Sequence, residues 1–98
     1  MAFYVYIIAN KTDNELYKGF TENPSQRIEQ HNASGSQFTS TKTGWYFVFL
    51  KMFELKREAL IYEKRIKKLN HRSLLKLINS DENILRKTKY HPVFVEVN

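Results

Sequence analysis

The chain has no cysteine, which excludes a disulfide-stapled scaffold and any thiolate-bound zinc. It also has no apolar run approaching the ~20 residues that a membrane-crossing helix needs. The opening stretch MAFYVYIIANK carries neither a basic n-region nor a small-residue cleavage site, so it does not read as a signal peptide. At 98 residues the chain can bury one modest core, which excludes a lobed enzyme with an interdomain cleft and any barrel of TIM size. The expectation is a soluble, cytoplasmic protein with no membrane partner.

What is present is a folded composition with a lopsided charge. Apolar residues make up 42% and charged residues 27%, too apolar for a disordered chain. Seven Phe, six Tyr and one Trp fill a small core and leave phenols over for a site. The net charge is +6, and residues 51–98 carry all of the excess, since the basic and acidic side chains of residues 1–50 cancel. A basic surface on a small domain points to a polyanion, most often nucleic acid, against the plain alternative of a solvated basic helix.

Periodicity and punctuation give the elements. FYVYIIA at 3–9 is β-branched and aromatic and reads as a strand, and ELYKGFT at 15–21 reads as its hairpin partner across the polar turn NKTDN. A four-residue loop pairing Ala9 with Asn14 would set Tyr6 opposite Tyr17, two phenols side by side on one face. Asn23, Pro24 and Gln26 form a helix start, and a helix over 24–32 follows. Ile28 is its only large apolar residue, so packing is not its main purpose, and Arg27 and His31 share a face. ASGSQFTSTKTG at 33–44 is a long polar loop. WYFVFLKMF at 45–53 reads as the central strand. Residues 56–69 form a helix with the apolar stripe Ala59, Tyr62, Ile66 and Leu69, with Glu63 on its edge and Lys64, Arg65 and Lys68 off it. A short helix over 74–78 and a late apolar VFVEV at 93–97 complete the chain. The fold class is α+β, a three-stranded antiparallel sheet flanked by helices in the order β-β-α-β-α-α. Residues 1–79 form the domain, and 80–98 a C-terminal extension, either a short strand or a tail.

V-Y-I at 5–7, Y-K-G at 17–19, Arg27 on the next helix and A-L-I-Y-E at 59–63 occur in a fixed order and spacing. Together they resemble the GIY-YIG nuclease family, specifically its small single-domain bacterial members of the UPF0213 and excinuclease-subunit-C catalytic-domain kind. The resemblance covers about residues 2–79. It implies metal-assisted hydrolysis of a nucleic-acid phosphodiester, with Tyr6 and Tyr17 as the triplet tyrosines, Arg27 as the catalytic arginine, His31 as a helix histidine of the site and Glu63 as the metal ligand. Asn79 is the nearest match to an asparagine that many members use after the glutamate. The chain departs from the pattern at Val5, where the triplet has Gly, at Lys18, where an apolar residue is usual, and at Leu55, where a Ser cap is usual.

The chemistry fits these residue types. A hard divalent cation, Mg²⁺ with Mn²⁺ as the substitute, needs few protein ligands and keeps its waters, so the single carboxylate Glu63 suffices. A planar, permanently charged guanidinium suits a phosphate. A tyrosine is a poor base at its reference pKa of about 10 and serves as one only where a cation or partner lowers that value. The resemblance implies that Tyr6 or Tyr17 is the general base, with Tyr6 slightly preferred. Lys64, Arg65, Lys67 and Lys68 are placed to contact phosphates. The reading is a metal-dependent endonuclease acting on DNA with low sequence specificity, in DNA repair or processing. The alternative is a nucleic-acid-binding module that keeps the fold without catalysis.

Overall fold

A computed structural model describes residues 2–33 and 43–87. Their elements run β1 (Phe3–Asn10), β2 (Leu16–Thr21), α1 (Pro24–Asn32), β3 (Trp45–Phe53), α2 (Lys56–Ile66) and α3 (His71–Ile78), with a 3₁₀ turn at Ile84–Lys87. Most of the long loop at 33–44 and all of VFVEV at 93–97 lie outside the described residues.

The strands form one antiparallel sheet in the order β2-β1-β3. The central strand is therefore β1, not the aromatic run of β3. Both runs are apolar enough for a middle position, but β3 has its outer edge closed by a side chain instead of a strand. Buried Asn83 donates from Nδ2 to the Val48 carbonyl at 2.8 Å and accepts at Oδ1 from the Leu50 amide at 3.1 Å. One carboxamide thus satisfies a donor and an acceptor of an edge that would otherwise invite pairing.

The hairpin register also differs from the expected one. Tyr6 pairs with Gly19, and Tyr17 pairs with Ile8. The loop again has four residues, but it is Lys11–Asn14. Asn14 takes a left-handed conformation at φ 60°, and its amide bonds to the Asn10 carbonyl at 2.9 Å. The slip is two residues, so every side chain keeps its face, and the two tyrosines are diagonal neighbours instead of direct partners.

A bulge in β3 opposite Ile7 and Ile8 splits its aromatics between two cores. Phe49 joins Val5, Ile7, Ala59, Tyr62, Ile66, Leu74 and Ile78 on the face covered by α2 and α3. Phe47 and Trp45 join Tyr6, Ile8 and Leu85 on the other face, with Ile28 and Tyr17 packed at its margin. After α3, Leu85 belongs to this core and Asn83 is buried against the β3 backbone.

The expected stripe holds for Ala59, Tyr62 and Ile66, which are buried, but α2 ends at Ile66, three residues short of the expected end, and Leu69 lies beyond it, partly buried; Lys64, Arg65, Lys67 and Lys68 are exposed. Leu55 stands at the N-cap with no side-chain hydrogen bond, as its lack of a hydroxyl requires. The third helix begins three residues earlier than apolar periodicity indicated, because Asn70 caps it by accepting from the Ser73 amide at 2.8 Å.

Candidate active site

The site is built on the sheet face that α1 crosses. This helix is fastened at both ends by asparagines. Asn23 accepts from the Gln26 amide at 3.2 Å, and Pro24 opens the first turn. At the other end the Asn32 carboxamide grips the backbone of Trp45, accepting from its amide at 2.7 Å and donating to its carbonyl at 3.1 Å. A helix with almost no apolar face is thereby held in place, and its inward positions are free to carry Arg27 and His31, four residues apart.

These two side chains meet at the phenol of Tyr6. The Tyr6 hydroxyl lies 2.7 Å from His31 Nε2, and Arg27 Nε donates to the same oxygen at 3.2 Å. Because the guanidinium can only donate, the phenol proton is best satisfied on His31 Nε2, which puts the imidazole proton on Nδ1. The opposite tautomer would leave a buried hydroxyl proton without an acceptor. Arg27 is steadied by its own helix, donating from a terminal nitrogen to Gln30 Oε1 at 2.9 Å. Tyr17 completes the cluster, its ring centroid 5.1 Å from that of His31 and 6.5 Å from that of Tyr6.

Gly19 makes this geometry possible. A Cβ at that position would lie 2.4 Å from the Tyr6 hydroxyl and 2.5 Å from the ring carbon that bears it. The Tyr6 ring therefore lies across the backbone of the edge strand, and its hydroxyl reaches the rim of the sheet. The third residue of the Y-K-G triplet is glycine because the first triplet's tyrosine occupies the space of its side chain. Lys18 pairs with Ile7 on the opposite face, so this departure from the pattern leaves the site intact.

Electrostatics sets the resting protonation. Burial pushes the Tyr6 phenol up to about 12; the Arg27 hydrogen bond and charge pull against it, and the charges of Tyr17 and Glu63 add to the rise. Burial and then the Arg27 charge push His31 down to about 4. The pair therefore rests as neutral phenol and neutral imidazole at pH 7. At rest Tyr6 therefore lies above the range of a general base, and that role would need a bound cation to lower it.

Glu63 stands on a different element from this cluster. It lies on α2, which packs against the other face of the sheet, yet its charge is felt at Tyr6. Its carboxylate pairs with Lys67 Nζ at 3.1 Å, one helical turn on, and its side chain is 17% exposed, so it holds a cation while staying within reach of solvent. Among the described residues no three His, Asp or Glu side chains cluster to hold a metal ion. That donor set does not suit a closed zinc-type site. It suits a hard cation held by one carboxylate and completed by water.

The remaining expected residues are dispersed. Arg65 lies over the Tyr62 ring at 5.1 Å, and Lys67 is paired with Glu63. Lys64 and Lys68 are exposed, with no ion pair among the described residues. Asn79 is exposed at the end of α3, where its amide bonds back to the Leu75 carbonyl at 3.1 Å. The sequence reading missed Asn32 and Gln30. Asn32 was legible only as a helix-end polar residue, and its partner is fixed by tertiary structure. Gln30 stands three positions from Arg27, a spacing that could have flagged it.

The GIY-YIG catalytic domain model matches residues 2–79, and the chain belongs to that family, whose members are in general nucleases. Within it, the chain is similar to small UPF0213 proteins. It is 42% identical to one from Staphylococcus haemolyticus over 76 residues, covering 76% of this chain and 92% of that protein. It is 42% identical to another from Clostridium perfringens over 78 residues, covering 79% of this chain and 83% of that one. The solution NMR structure of a UPF0213 protein from Bacillus halodurans superposes with a TM-score of 0.57 at 27% identity, over 96% of this chain and all of that one, 100%.

Proposed function

We propose that this chain is a metal-dependent endonuclease that hydrolyses phosphodiester bonds of DNA with low sequence specificity, in DNA repair or processing. The observation that carries the reading is the buried cluster in which Arg27 and His31 both bond the Tyr6 oxygen, with Tyr17 against them. A core aromatic has no need of a guanidinium and an imidazole, and burying either is costly unless it serves a purpose.

Arg27 supplies a fixed positive charge for the scissile phosphate, and its Nε contact to Tyr6 orients the fork before substrate arrives. Glu63 is the residue that holds a divalent cation, Mg²⁺ or Mn²⁺, exchanging its present ammonium partner Lys67. When bound, that cation supplies charge neutralisation at the phosphate and a more acidic water. Tyr6 keeps its proton and works as the hub that aligns Arg27 and His31. The base role passes to Tyr17, which is half-buried on the same face. Having given its own proton to solvent, Tyr17 would take one from the attacking water while the new P–O bond forms. The P–O bond to the leaving oxygen breaks, and solvent protonates that oxygen. Lys64 and Lys68, and after cation exchange Lys67, extend the contact to neighbouring phosphates; Arg65 contributes from its place over Tyr62.

A cleavage assay on single-stranded, flapped, branched and duplex DNA and RNA tests this. Cleavage of DNA in Mg²⁺ or Mn²⁺, lost on chelation and in Arg27→Ala, is the expected result. Metal-independent binding with no cleavage of any substrate would replace it with the binding-module alternative.

A further inference from the structure

The register lays the Tyr6 face out in rows across the three strands. Tyr17, Ile8 and Phe47 form one row, Gly19, Tyr6 and Leu50 the next, and Thr21, Tyr4 and Met52 the last. The first row is roofed, since Ile28 of α1 and Leu85 of the 3₁₀ turn pack on it. The last row is open. Met52 is 51% exposed and Tyr4 is only half-buried. The Tyr4 side chain makes no hydrogen bond, ion pair or ring contact among the described residues, whereas in the roofed part the Tyr6 ring meets Tyr17, His31 and Phe47, and Tyr17 meets His31.

We propose that Tyr4, with Met52 and Thr21 beside it, is a stacking subsite for one unpaired nucleobase next to the scissile phosphate. The proposal rests on the nuclease reading above. An aromatic ring presented on an open sheet face accepts any base by its π surface, and a thioether alongside is polarisable and adapts to the base edge. Successive rows lie roughly 6.8 Å apart, twice the per-residue rise of a strand. That is about twice the ~3.4 Å step between stacked nucleotides in a duplex. A base lying on the Tyr4 ring takes that ring as its stacking partner in place of a neighbouring base. The adjoining row holds Tyr6, on which Arg27 is fixed, so the open ring lies next to the proposed phosphate contact and the occupant that fits both is a nucleic-acid strand. The subsite would give the enzyme a preference for single-stranded or flapped substrates without any base-specific contact.

Binding of the full chain, without metal, to a single-stranded oligonucleotide and to its duplex provides the test. Each oligonucleotide carries 2-aminopurine, and in a parallel series an abasic site, at one position at a time. Tyr4→Leu is expected to weaken single-strand binding about tenfold or more and to leave duplex binding within about twofold, while Tyr4→Phe binds like the wild type. An abasic site at one position should erase the difference between Tyr4→Leu and the wild type, and 2-aminopurine there should be quenched by the wild-type protein. If Tyr4→Leu fails to fold, the quenching by wild type and Tyr4→Phe decides alone. Equal single-strand binding by wild type and Tyr4→Leu, equal losses on both substrates, or no position-dependent quenching would overturn the subsite while leaving the nuclease reading standing if wild type cleaves. A wild-type protein that neither binds nor cleaves nucleic acid would overturn both. Self-association of the wild type abolished by Met52→Glu would assign the open row to a second copy and overturn the subsite.

Discussion

On one face of the sheet Val5, Ile7 and Phe49 are sealed by Ala59, Tyr62 and Ile66, and the buried Tyr62 hydroxyl is settled on Glu82 at 2.7 Å. On the other, Tyr6 is equally buried, but its hydroxyl is shared between an arginine and a histidine on a helix that is almost entirely polar. The same three strands supply both faces. Their alternation puts Val5 and Ile7 on one and Tyr6 and Tyr17 on the other, and the β3 bulge lets its aromatics serve both. The first face has the composition of a core whose worth is burial, about 1.5–3 kcal/mol for each large apolar side chain. The second spends burial on holding polar groups in a fixed geometry, which is what a preorganised site requires. Stability and chemistry should therefore separate by face.

The sharpest contrast is between two truncations. Ile66→Ala, on the apolar face, should cost about 2–5 kcal/mol of unfolding free energy while the folded fraction cleaves at the wild-type rate. Arg27→Ala, on the other face, should lower single-turnover cleavage on the order of 100-fold with little change in stability. Denaturant unfolding and single-turnover kinetics on both variants would break the comparison if each moved both quantities.

Gly19→Ala is the next largest. Its Cβ would displace the Tyr6 phenol, so it should cost about 1–3 kcal/mol and disturb cleavage as well, the one site where both readouts move together. Acid stability gives a smaller, face-specific effect. His31 has a folded pKa of about 4 against 6.5 when unfolded, so the unfolded chain binds the extra proton between those values. Stability should fall as pH drops from about 6.5 towards 4, and His31→Gln should flatten that limb in a pH series of denaturation midpoints. Smallest is the double change Lys64→Gln with Lys68→Gln. If each lysine makes one phosphate contact, the slope of log affinity against log salt on duplex DNA should flatten by about two.

Much of this was legible in the residues. The helix at Pro24–Asn32 was bounded by Asn23 and Pro24 because caps act locally, and the Ala59–Tyr62–Ile66 stripe was readable because helical period fixes which residues share a face. Face assignment of Tyr6 and Tyr17 survived a two-residue register error, since strand parity is insensitive to such a slip. The choice of β1 over β3 as the middle strand was not legible, because it depends on Asn83 returning from 33 residues further on to close the β3 edge at Leu50. Nor was the direction of the Tyr6 shift, which follows from how deeply tertiary packing buries the phenol. The placement of Glu63 on the helix that covers the far side of the sheet is likewise set by helix packing and not by spacing.

The central claim, that the Tyr6 face is a metal-assisted phosphodiesterase site, is most directly tested by Glu63→Gln, which keeps the side-chain shape and removes the charge. Single-turnover cleavage of the best DNA substrate in Mg²⁺, measured beside circular dichroism, should show the activity abolished and the fold unchanged. A folded Glu63→Gln protein that cleaves at the wild-type rate would contradict it.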